Sequence, residues 1–482
     1  MKRILTYVIM LTAFMISSCK KFLDVLPDDT VYEKELFKNE RGFTKALNGI
    51  YVQLGHGDLY GRELKYGSLD VLGGYWMPTV NEMSLYSQLQ KFNFKDQQVE
   101  KRIDMFWNEL YKAIHQTNLI IRNLSNIEDD ARYNLIAGEV YGLRAYLHLE
   151  ILKLFGPVIK EEGLDAQAIP YYLTADRSPA KFLPAKEVLK LLEEDLQRSI
   201  KFLEEDPIKT IGRKENANNS LIAEYTGLLD RRGARFNYYA AKATLARKSQ
   251  WEGDLPKAYE RANVVIEELK ETEAIHLKTW EDDVKRFTIE NIFGLVPRNP
   301  KPAIDRDFVS NNIPFDFGGF LEKIFYEDRV NGNFDTRYNK WFSIDKNNSV
   351  GTKFIKLTLD QKDVDDKKFD LYELQMIGLP EMYFIAIESQ MESNLKGALT
   401  LLNEFRESRD IYSELEANSP AELKKMLIEE VRREYIGEGY LYSFYKRTFN
   451  TIHQSPKNGA DIQPSLAIFK FPIPLDENIY NK

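Results

Sequence analysis

Apolar residues recur at every third or fourth position along much of the chain, a spacing that predicts amphipathic α-helices. The longest regular run covers residues 129–155, and Gly156-Pro157 directly after it is typical of a helix end. The same spacing predicts further helices near residues 43–54, 100–124, 185–205, 379–394, 396–408 and 419–437, and a helix pair over 236–271. The pattern therefore indicates an all-α fold.

The helix pair over 236–271 has the features of one tetratricopeptide helix–turn–helix unit. Alanines recur on both predicted helices, and a short turn around Gly253-Asp254 separates them. One unit is weak evidence by itself. The helices over 101–155 and 185–205 are candidates for degenerate further copies of the same unit.

Several residues within the predicted helices favour structural roles. Gly138 and Gly142 are small enough to let another helix approach closely. Asn118 falls on an apolar face, where a buried amide usually bonds to a neighbouring backbone. Glu139 and Arg144 are expected to pair with neighbouring helices rather than to act in catalysis.

The N-terminal segment predicts export. Two basic residues precede an apolar run over residues 4–16, and Ser17-Ser18-Cys19 follows it. The run is too short to span a bilayer, which needs ~20 apolar residues, and small residues before the cut are typical of a secretory signal peptide. The ending is also that of a bacterial lipobox, so we expect residues 1–18 to be removed and Cys19 to be lipidated. An ordinary secretory signal with an incidental cysteine is the alternative.

Composition agrees with an exported protein that has a water-soluble body. Cys19 is the only cysteine among 482 residues, so the chain cannot form an internal disulfide. The formal net charge is −8, and loss of Lys2 and Arg3 with the leader would make it two units more negative. An acidic protein of this kind disfavours nucleic acid or an anionic lipid surface as its main partner.

Segments spread over most of the chain, taken in order, resemble the SusD/RagB surface lipoproteins of Bacteroidetes. The matching segments are 18–24 (SCKKFLD), 46–51 (ALNGIY), 138–146 (GEVYGLRAY), 154–157 (LFGP), 239–247 (YAAKATLAR), 380–388 (PEMYFIAIE), 428–434 (IEEVRRE) and 471–474 (FPIP). Leu441 and Phe444 depart from the family pattern, which commonly has Arg and Asp at those positions.

The resemblance implies an all-α fold of tetratricopeptide-like helical hairpins with a long, loop-rich ligand face. It implies an extended tether over residues 19–32 and a single domain over 33–482. That domain would comprise an N-terminal part at about 33–225, the helical hairpin at about 236–271 and a C-terminal part at about 272–482.

The functional expectation also follows from the resemblance. The protein would be a non-catalytic lipoprotein on the outer face of the outer membrane. It would capture oligosaccharides, or in some cases oligopeptides, and act as the lid of a SusC-like TonB-dependent barrel. No cofactor, metal or nucleic acid is implied.

Two irregular, aromatic stretches are the candidate ligand-contacting zones. Aromatic platforms beside amides and carboxylates suit sugars and peptides, and long irregular stretches in a compact domain are often functional. The first zone, within residues 55–100, contains Tyr60, Tyr66, Tyr75, Trp76 and Tyr86, and the second contains Trp341 and Phe342 with Phe315, Phe317, Phe320 and Tyr338. The alternative is that these rings pack loops onto helices or contact the barrel.

Sequence motifs of common enzymes are missing. The chain has no His-Glu-x-x-His, no Gly-x-Ser-x-Gly, no P-loop and no dinucleotide fingerprint. His115 and His148 fall within predicted helices and are expected to be packing or surface residues rather than ligands. Asp363, Asp365 and Asp366 lack the Gly and distal Glu of an EF-hand and favour a solvated loop over a calcium site. A helical scaffold for surface lipoproteins and, less favoured, a surface glycoside hydrolase with a carboxylate pair stay open as alternatives.

Overall fold

Helices dominate the structure, a computed structural model. It describes residues 33–78, 83–176, 178–213, 231–272, 275–277, 288–297, 306–307, 315–316, 324–325, 335–345, 348–351, 373–454 and 459–480. Strands in these ranges form only short two-stranded antiparallel pairs. The predicted all-α class is confirmed.

The helices and strands are numbered here in chain order. The helices are α1 Glu40–Leu54, α2 Ser68–Leu72, α3 Leu85–Gln90, α4 Gln97–Asn123, α5 Asp130–Phe155, α6 Ile159–Glu162, α7 Ala185–Phe202, α8 Ile208–Ile211, α9 Tyr238–Glu252, α10 Leu255–Thr272, α11 Thr336–Trp341, α12 Leu379–Gln390, α13 Leu395–Glu407, α14 Pro420–Glu434, α15 Leu441–Thr448, α16 Leu466–Phe469 and α17 Leu475–Tyr480. The strand pairs are β1 Met77–Pro78 with β5 Phe315–Asp316, β2 Gln167–Pro170 with β3 Phe182–Pro184, β4 Asn291–Leu295 with β8 Leu374–Gly378, and β6 Phe342–Asp345 with β7 Asn348–Gly351.

The long helices pack in series, each against the next. The order is α1, α4, α5, α7, α9, α10, α12 and α13. Successive antiparallel hairpins bury their shared apolar faces in one continuous hydrophobic core. This is the tetratricopeptide-like architecture, and the predicted pair over 236–271 is its α9–α10 hairpin.

Local capping chemistry explains where the α9–α10 hairpin begins and turns. The side chain of Asn237 accepts a hydrogen bond from the Ala240 N–H at 3.0 Å and so caps the start of α9. Gly253 ends the helix with φ of +85°, a left-handed conformation that glycine adopts without a Cβ penalty. The chain then reverses directly into α10.

Two glycines let α5 come close to its neighbours, as their size predicts. A Cβ built on Gly142 would overlap the Phe236 ring and lie 2.7 Å from Ser199 Oγ, and one on Gly138 would overlap Leu203. The Ser199 hydroxyl also donates to the Gly138 carbonyl at 2.6 Å. These contacts are so close that neither position 138 nor position 142 has room for a side chain.

Buried ion pairs hold segments that are distant in sequence against the helical stack. Arg247 of α9 binds Glu381 of α12 at 2.7 and 2.6 Å and reaches Glu150 of α5 at 3.2 Å. Arg409, which has no exposed surface, binds both oxygens of Glu290 at 2.8 Å. Burial of a charge without such a partner would cost several kcal/mol, about 3–5 kcal/mol when one partner is removed.

The helix-borne polar residues have the structural roles predicted for them. The Asn118 amide donates to the Tyr172 and Thr174 carbonyls, both at 3.0 Å. Arg144 pairs with Asp195 of α7 at 2.6 Å. Glu139 pairs with Arg232 and Arg235 from the segment before α9.

Some segments differ from their prediction or lie outside the described residues. Residues 55–100, expected to be irregular, contain the short helices α2 and α3. Pro380 sits in the first turn of α12, where proline is tolerated. The acidic loop around Asp363 falls outside the described residues. The division of 33–482 into three parts stays a prediction.

His148 is a buried, neutral histidine at the centre of the stack. Its Nδ1–H donates to the Arg144 carbonyl at 2.8 Å, and Nε2 accepts from the Tyr172 N–H at 3.0 Å. The ring stacks on Tyr171 with centroids 3.7 Å apart. Burial lowers the pKa of His148 to about 3.

Replacing Gly142 with alanine should destabilise the protein because the added methyl group meets Phe236 and Ser199. We expect a loss of about 1–3 kcal/mol in the free energy of unfolding, measured by urea denaturation of the purified chain. Gly49→Ala is the matched control. Gly49 is an exposed glycine in α1 with nothing within 4 Å of its Cβ position, and its replacement should add up to about 1 kcal/mol. Equal stability of the two variants would contradict the close approach.

The depressed pKa of His148 predicts a stability that falls as the pH falls below about 6.5, the ordinary histidine value. Between that pH and about 3, the unfolded chain binds a proton at His148 that the folded chain does not, so stability rises with pH. The difference in unfolding free energy between wild type and His148→Gln should narrow by about 2 kcal/mol from pH 7 to pH 5. Parallel curves would mean that His148 has the same pKa in the folded and the unfolded chain, which would contradict the depressed pKa.

Candidate functional site

The aromatic residues predicted as ligand contacts in the first zone lie inside the protein. Their exposed fractions are 4% for Tyr60, 2% for Tyr66, 0% for Tyr75 and Trp76, and 8% for Tyr86. The hydroxyl groups bond inward: Tyr60 donates to Glu150 at 3.3 Å, Tyr66 to Asp307 at 3.3 Å and Tyr86 to Glu63 at 2.8 Å. The Tyr60 bond attaches the irregular segment to α5, the Tyr86 bond lies within the segment, and a ligand contact at these rings stays a prediction.

The second aromatic zone is described only in part. Trp341 has 2% of its surface exposed, and Tyr338 packs on Phe325 with ring centroids 5.3 Å apart. Phe342 begins β6, where its backbone pairs with Gly351. The side chains of Phe342 and Phe315 and the whole of Phe317 and Phe320 lie outside the described residues, so their predicted role is unchanged.

A cluster of charges joins the first zone to residue 307. Arg62 binds both oxygens of Asp307, at 2.6 and 2.9 Å, and pairs with Glu63 at 2.8 Å. Its guanidinium carbon lies 5.3 Å from the centroid of the Tyr86 ring. Burial and the neighbouring Glu63 raise the pKa of the Tyr86 hydroxyl. Arg62 and Asp307 lie too far apart in sequence for any local pattern to reveal the pair.

A separate open cleft lies where the ends of several helices meet. It measures about 540 Å³, within the range of small-ligand sites. Helices α6, α9, α12, α14 and α15 and the turn after α9 form its walls. The lining residues are Ile159, Lys160, Gly163, Leu164, Gln250, Trp251, Glu252, Gly253, Leu255, Glu388, Met391, Glu392, Lys424, Leu427, Ile428, Phe444, Arg447 and Thr448.

Part of the cleft wall is a hydrogen-bonded ion pair. Arg447 binds both oxygens of Glu388, at 2.5 and 2.7 Å, and Gln250 donates to the same carboxylate at 3.1 Å. The guanidinium also lies 5.7 Å from the centroid of the Phe444 ring. This bidentate pair holds α12 against α15, and both oxygens of the Glu388 carboxylate accept hydrogen bonds within the protein.

A second charged group in the wall, Lys424 of α14, forms no such pair among the described residues. The half-buried ammonium has no hydrogen bond or ion pair among the described residues. Burial lowers the pKa of Lys424, and repulsion from Lys160 and Arg447 lowers it further against the attraction of Glu388 and Glu392. The cleft therefore presents a cation that forms no ion pair within the part of the chain that the structure describes.

A smaller cavity lies deep in the fold and has a structural role. It measures about 40 Å³ and is lined by the buried charges around Arg247, including Glu150, Lys153 and Glu381. A space of this size holds water but no sugar ring. The cavity belongs to the ion-pair network that joins α5, α9 and α12.

The described part of the chain offers neither a metal site nor a membrane-spanning helix. No cluster of three or more histidine, cysteine or carboxylate residues there could hold a metal ion. No helix there has both the length and the apolar character needed to cross a membrane. The predicted lipidation site Cys19 and the acidic loop around Asp363 lie outside the described residues.

Sequence comparisons identify relatives of the N-terminal part. Residues 21–223 match the model of the SusD-like_3 family, described as starch-binding and associating with the outer membrane. The chain is 25% identical over 137 residues to SusD-like protein P2 of Formosa agariphila. That alignment covers 28% of this chain and 27% of the relative, so it spans about a quarter of the relative's length.

Solved structures share the fold over most of the chain. A SusD superfamily protein from Bacteroides fragilis superposes with a TM-score of 0.69 at 19% identity, covering 92% of this chain and 99% of that one. A putative sugar binding protein from Bacteroides vulgatus has a TM-score of 0.67 at 19% identity, with 92% and 96% covered. A SusD-like carbohydrate binding protein from Bacteroides vulgatus has a TM-score of 0.66 at 16% identity, with 91% and 96% covered.

At these identities the structural likeness establishes the fold and no more. The chain is thus similar to the SusD-like_3 family over residues 21–223 and shares its fold with SusD superfamily structures over most of its length.

Proposed function

We propose that the protein binds oligosaccharides at the bacterial surface and delivers them for uptake, without chemically altering them. The observation that carries the proposal is the match of residues 21–223 to a family described as starch-binding and outer-membrane-associated. Structural neighbours that are described as carbohydrate binding or sugar binding support it. Oligopeptides are the alternative cargo.

Lipid anchoring through Cys19 is part of the proposal. The leader over residues 1–18 would be removed, and acyl chains on Cys19 would hold the protein at the outer membrane with residues 19–32 as the tether. One acyl chain binds membranes only marginally, so stable attachment requires more than one. The small residues before Cys19 and the lack of any other cysteine support this assignment.

A SusC-like TonB-dependent barrel is the proposed partner, with this protein as its lid. Support comes from family resemblance, since the partner of a SusD-like protein is expected to be such a barrel. The aromatic zones are the proposed ligand face. Because the described rings are buried, a ligand at this face would meet ring edges or neighbouring side chains rather than whole ring faces.

A scaffold that organises surface lipoproteins is the second candidate. The series of packed helical hairpins favours it, because tetratricopeptide-like stacks commonly present extended binding surfaces. The two functions differ in what they bind. A nutrient-binding subunit takes a small oligomer, whereas a scaffold takes only proteins.

Calorimetric titration of the purified full chain with panels of oligosaccharides and oligopeptides should give saturable binding of at least one saccharide. The saccharide should be recovered unchanged after overnight incubation. Binding to oligopeptides alone would show that the cargo is peptide instead of saccharide. Binding to neither class would contradict the proposed function, and shortened products would indicate a hydrolase.

Metabolic labelling with a fatty-acid probe should label the wild-type chain in its native host and leave Cys19→Ala unlabelled. The variant should also leave the membrane fraction, because the tether would have no acyl chains. Ser18→Ala, which keeps a small residue before the cut, is the control and should label normally. Membrane attachment of Cys19→Ala at wild-type levels would refute lipid anchoring.

A further inference from the structure

The cleft between α9, α12, α14 and α15 shares no lining residue with the named aromatic zones, and its largely apolar wall contains a cation with no ion pair among the described residues. Glu388 is engaged by Arg447 and Gln250, and Glu252 is paired with Lys248 at 2.7 Å. The carboxylate that is left in the lining is the exposed Glu392.

The cations of the lining are less completely paired. Lys160 donates to the Thr448 carbonyl at 2.8 Å, which satisfies a hydrogen bond but leaves its positive charge uncompensated. Lys424 has neither a hydrogen bond nor an ion pair among the described residues. After the internal pairs are formed, two ammonium groups face one exposed carboxylate, so the cleft favours an anionic ligand.

The rest of the wall suits a ligand with an apolar face. Trp251, Met391, Leu427 and Phe444 are each buried in the protein yet contribute surface to the cleft. The C–H face of a sugar ring packs on surfaces of this kind, while its hydroxyl groups need polar partners such as the Gln250 amide. The wall therefore combines a ring-sized apolar surface, an amide and a cation.

We propose that this cleft binds a carboxylate-bearing saccharide unit, a uronate, with Lys424 donating to the sugar carboxylate. Burial and the neighbouring cations disfavour the positive charge of Lys424. A sugar carboxylate would stabilise that charge through a charge-assisted hydrogen bond. The inference rests on the proposed saccharide function for the nature of the ligand. It adds the class of sugar and a location that the aromatic zones do not predict.

The test compares matched probes on the purified full chain. The charged probes are trimers of galacturonate, mannuronate and guluronate, and each neutral probe is the methyl ester of the same trimer. At least one charged trimer should bind, and its ester should bind about tenfold or more weakly. Affinity for the charged trimer should fall as salt is raised, since salt screens the attraction.

Variants then locate the site. Lys424→Gln should weaken binding of the charged trimer by about 10- to 100-fold and leave the ester unaffected. Lys424→Arg, which keeps the charge, should retain most of the affinity. Lys425→Gln, the exposed neighbour on the same helix, is the control and should change the affinity by less than about twofold.

Each outcome bears on one of the two proposals. Binding of charged trimers that Lys424→Gln does not weaken, or equal binding of trimer and ester, would overturn the assignment of the cleft. Binding of neutral oligosaccharides alone would overturn it and leave the proposed function intact. Lys424-dependent binding of acidic peptides without uronates would replace the ligand class. Failure to bind any saccharide would remove the proposed function itself.

Discussion

The buried Arg247 guanidinium is the constraint on which the arrangement of the central helices depends. It lies on α9, binds both oxygens of Glu381 on α12 and reaches Glu150 on α5. A charge at this depth is tolerated only with well-placed partners, because the desolvation penalty is otherwise far larger than any packing gain. Three helices from distant parts of the sequence must therefore meet in one register.

That register also builds the cleft. Gln250 follows Arg247 by one helical turn on α9, and Glu388 follows Glu381 by two turns on α12. The same pairing of α9 with α12 also places the Gln250 amide on the Glu388 carboxylate, which Arg447 of α15 binds through both oxygens. Because Arg447 and Glu388 neutralise each other, Lys424 on α14 is left without a carboxylate partner among the described residues. The chemistry of the site follows from the packing of the scaffold.

Sequence periodicity was sufficient to predict most of the helical scaffold. The 3.6-residue pattern, the Gly156-Pro157 stop and the alanine-rich pair at 236–271 each correspond to an observed element. Such signals are local, and so is the physics of capping and amphipathic burial that produces them. The small size of Gly138 and Gly142 also correctly predicted that neighbouring segments pack closely on α5.

The cleft could not be predicted in the same way, because its walls come from five helices far apart in sequence. Lys424 and Lys425 are adjacent lysines in a charge-rich helix, and only the fold distinguishes the half-buried one from the exposed one. The aromatic residues of the first zone show the opposite case, in which a local pattern indicated a binding face but the rings are buried. Their clustering with glycines indicated a binding face, but composition does not tell whether a ring faces solvent or packs beneath the loop that carries it.

The most direct test of this account is a double-mutant cycle on Arg247 and Glu381, measured by urea unfolding. Arg247→Met and Glu381→Gln should each cost about 3–5 kcal/mol, because each leaves a buried partner unsatisfied. The double variant should cost less than the sum of the two by about 2 kcal/mol or more. Strictly additive losses would contradict the claim that this ion pair sets the register of the helices around the cleft.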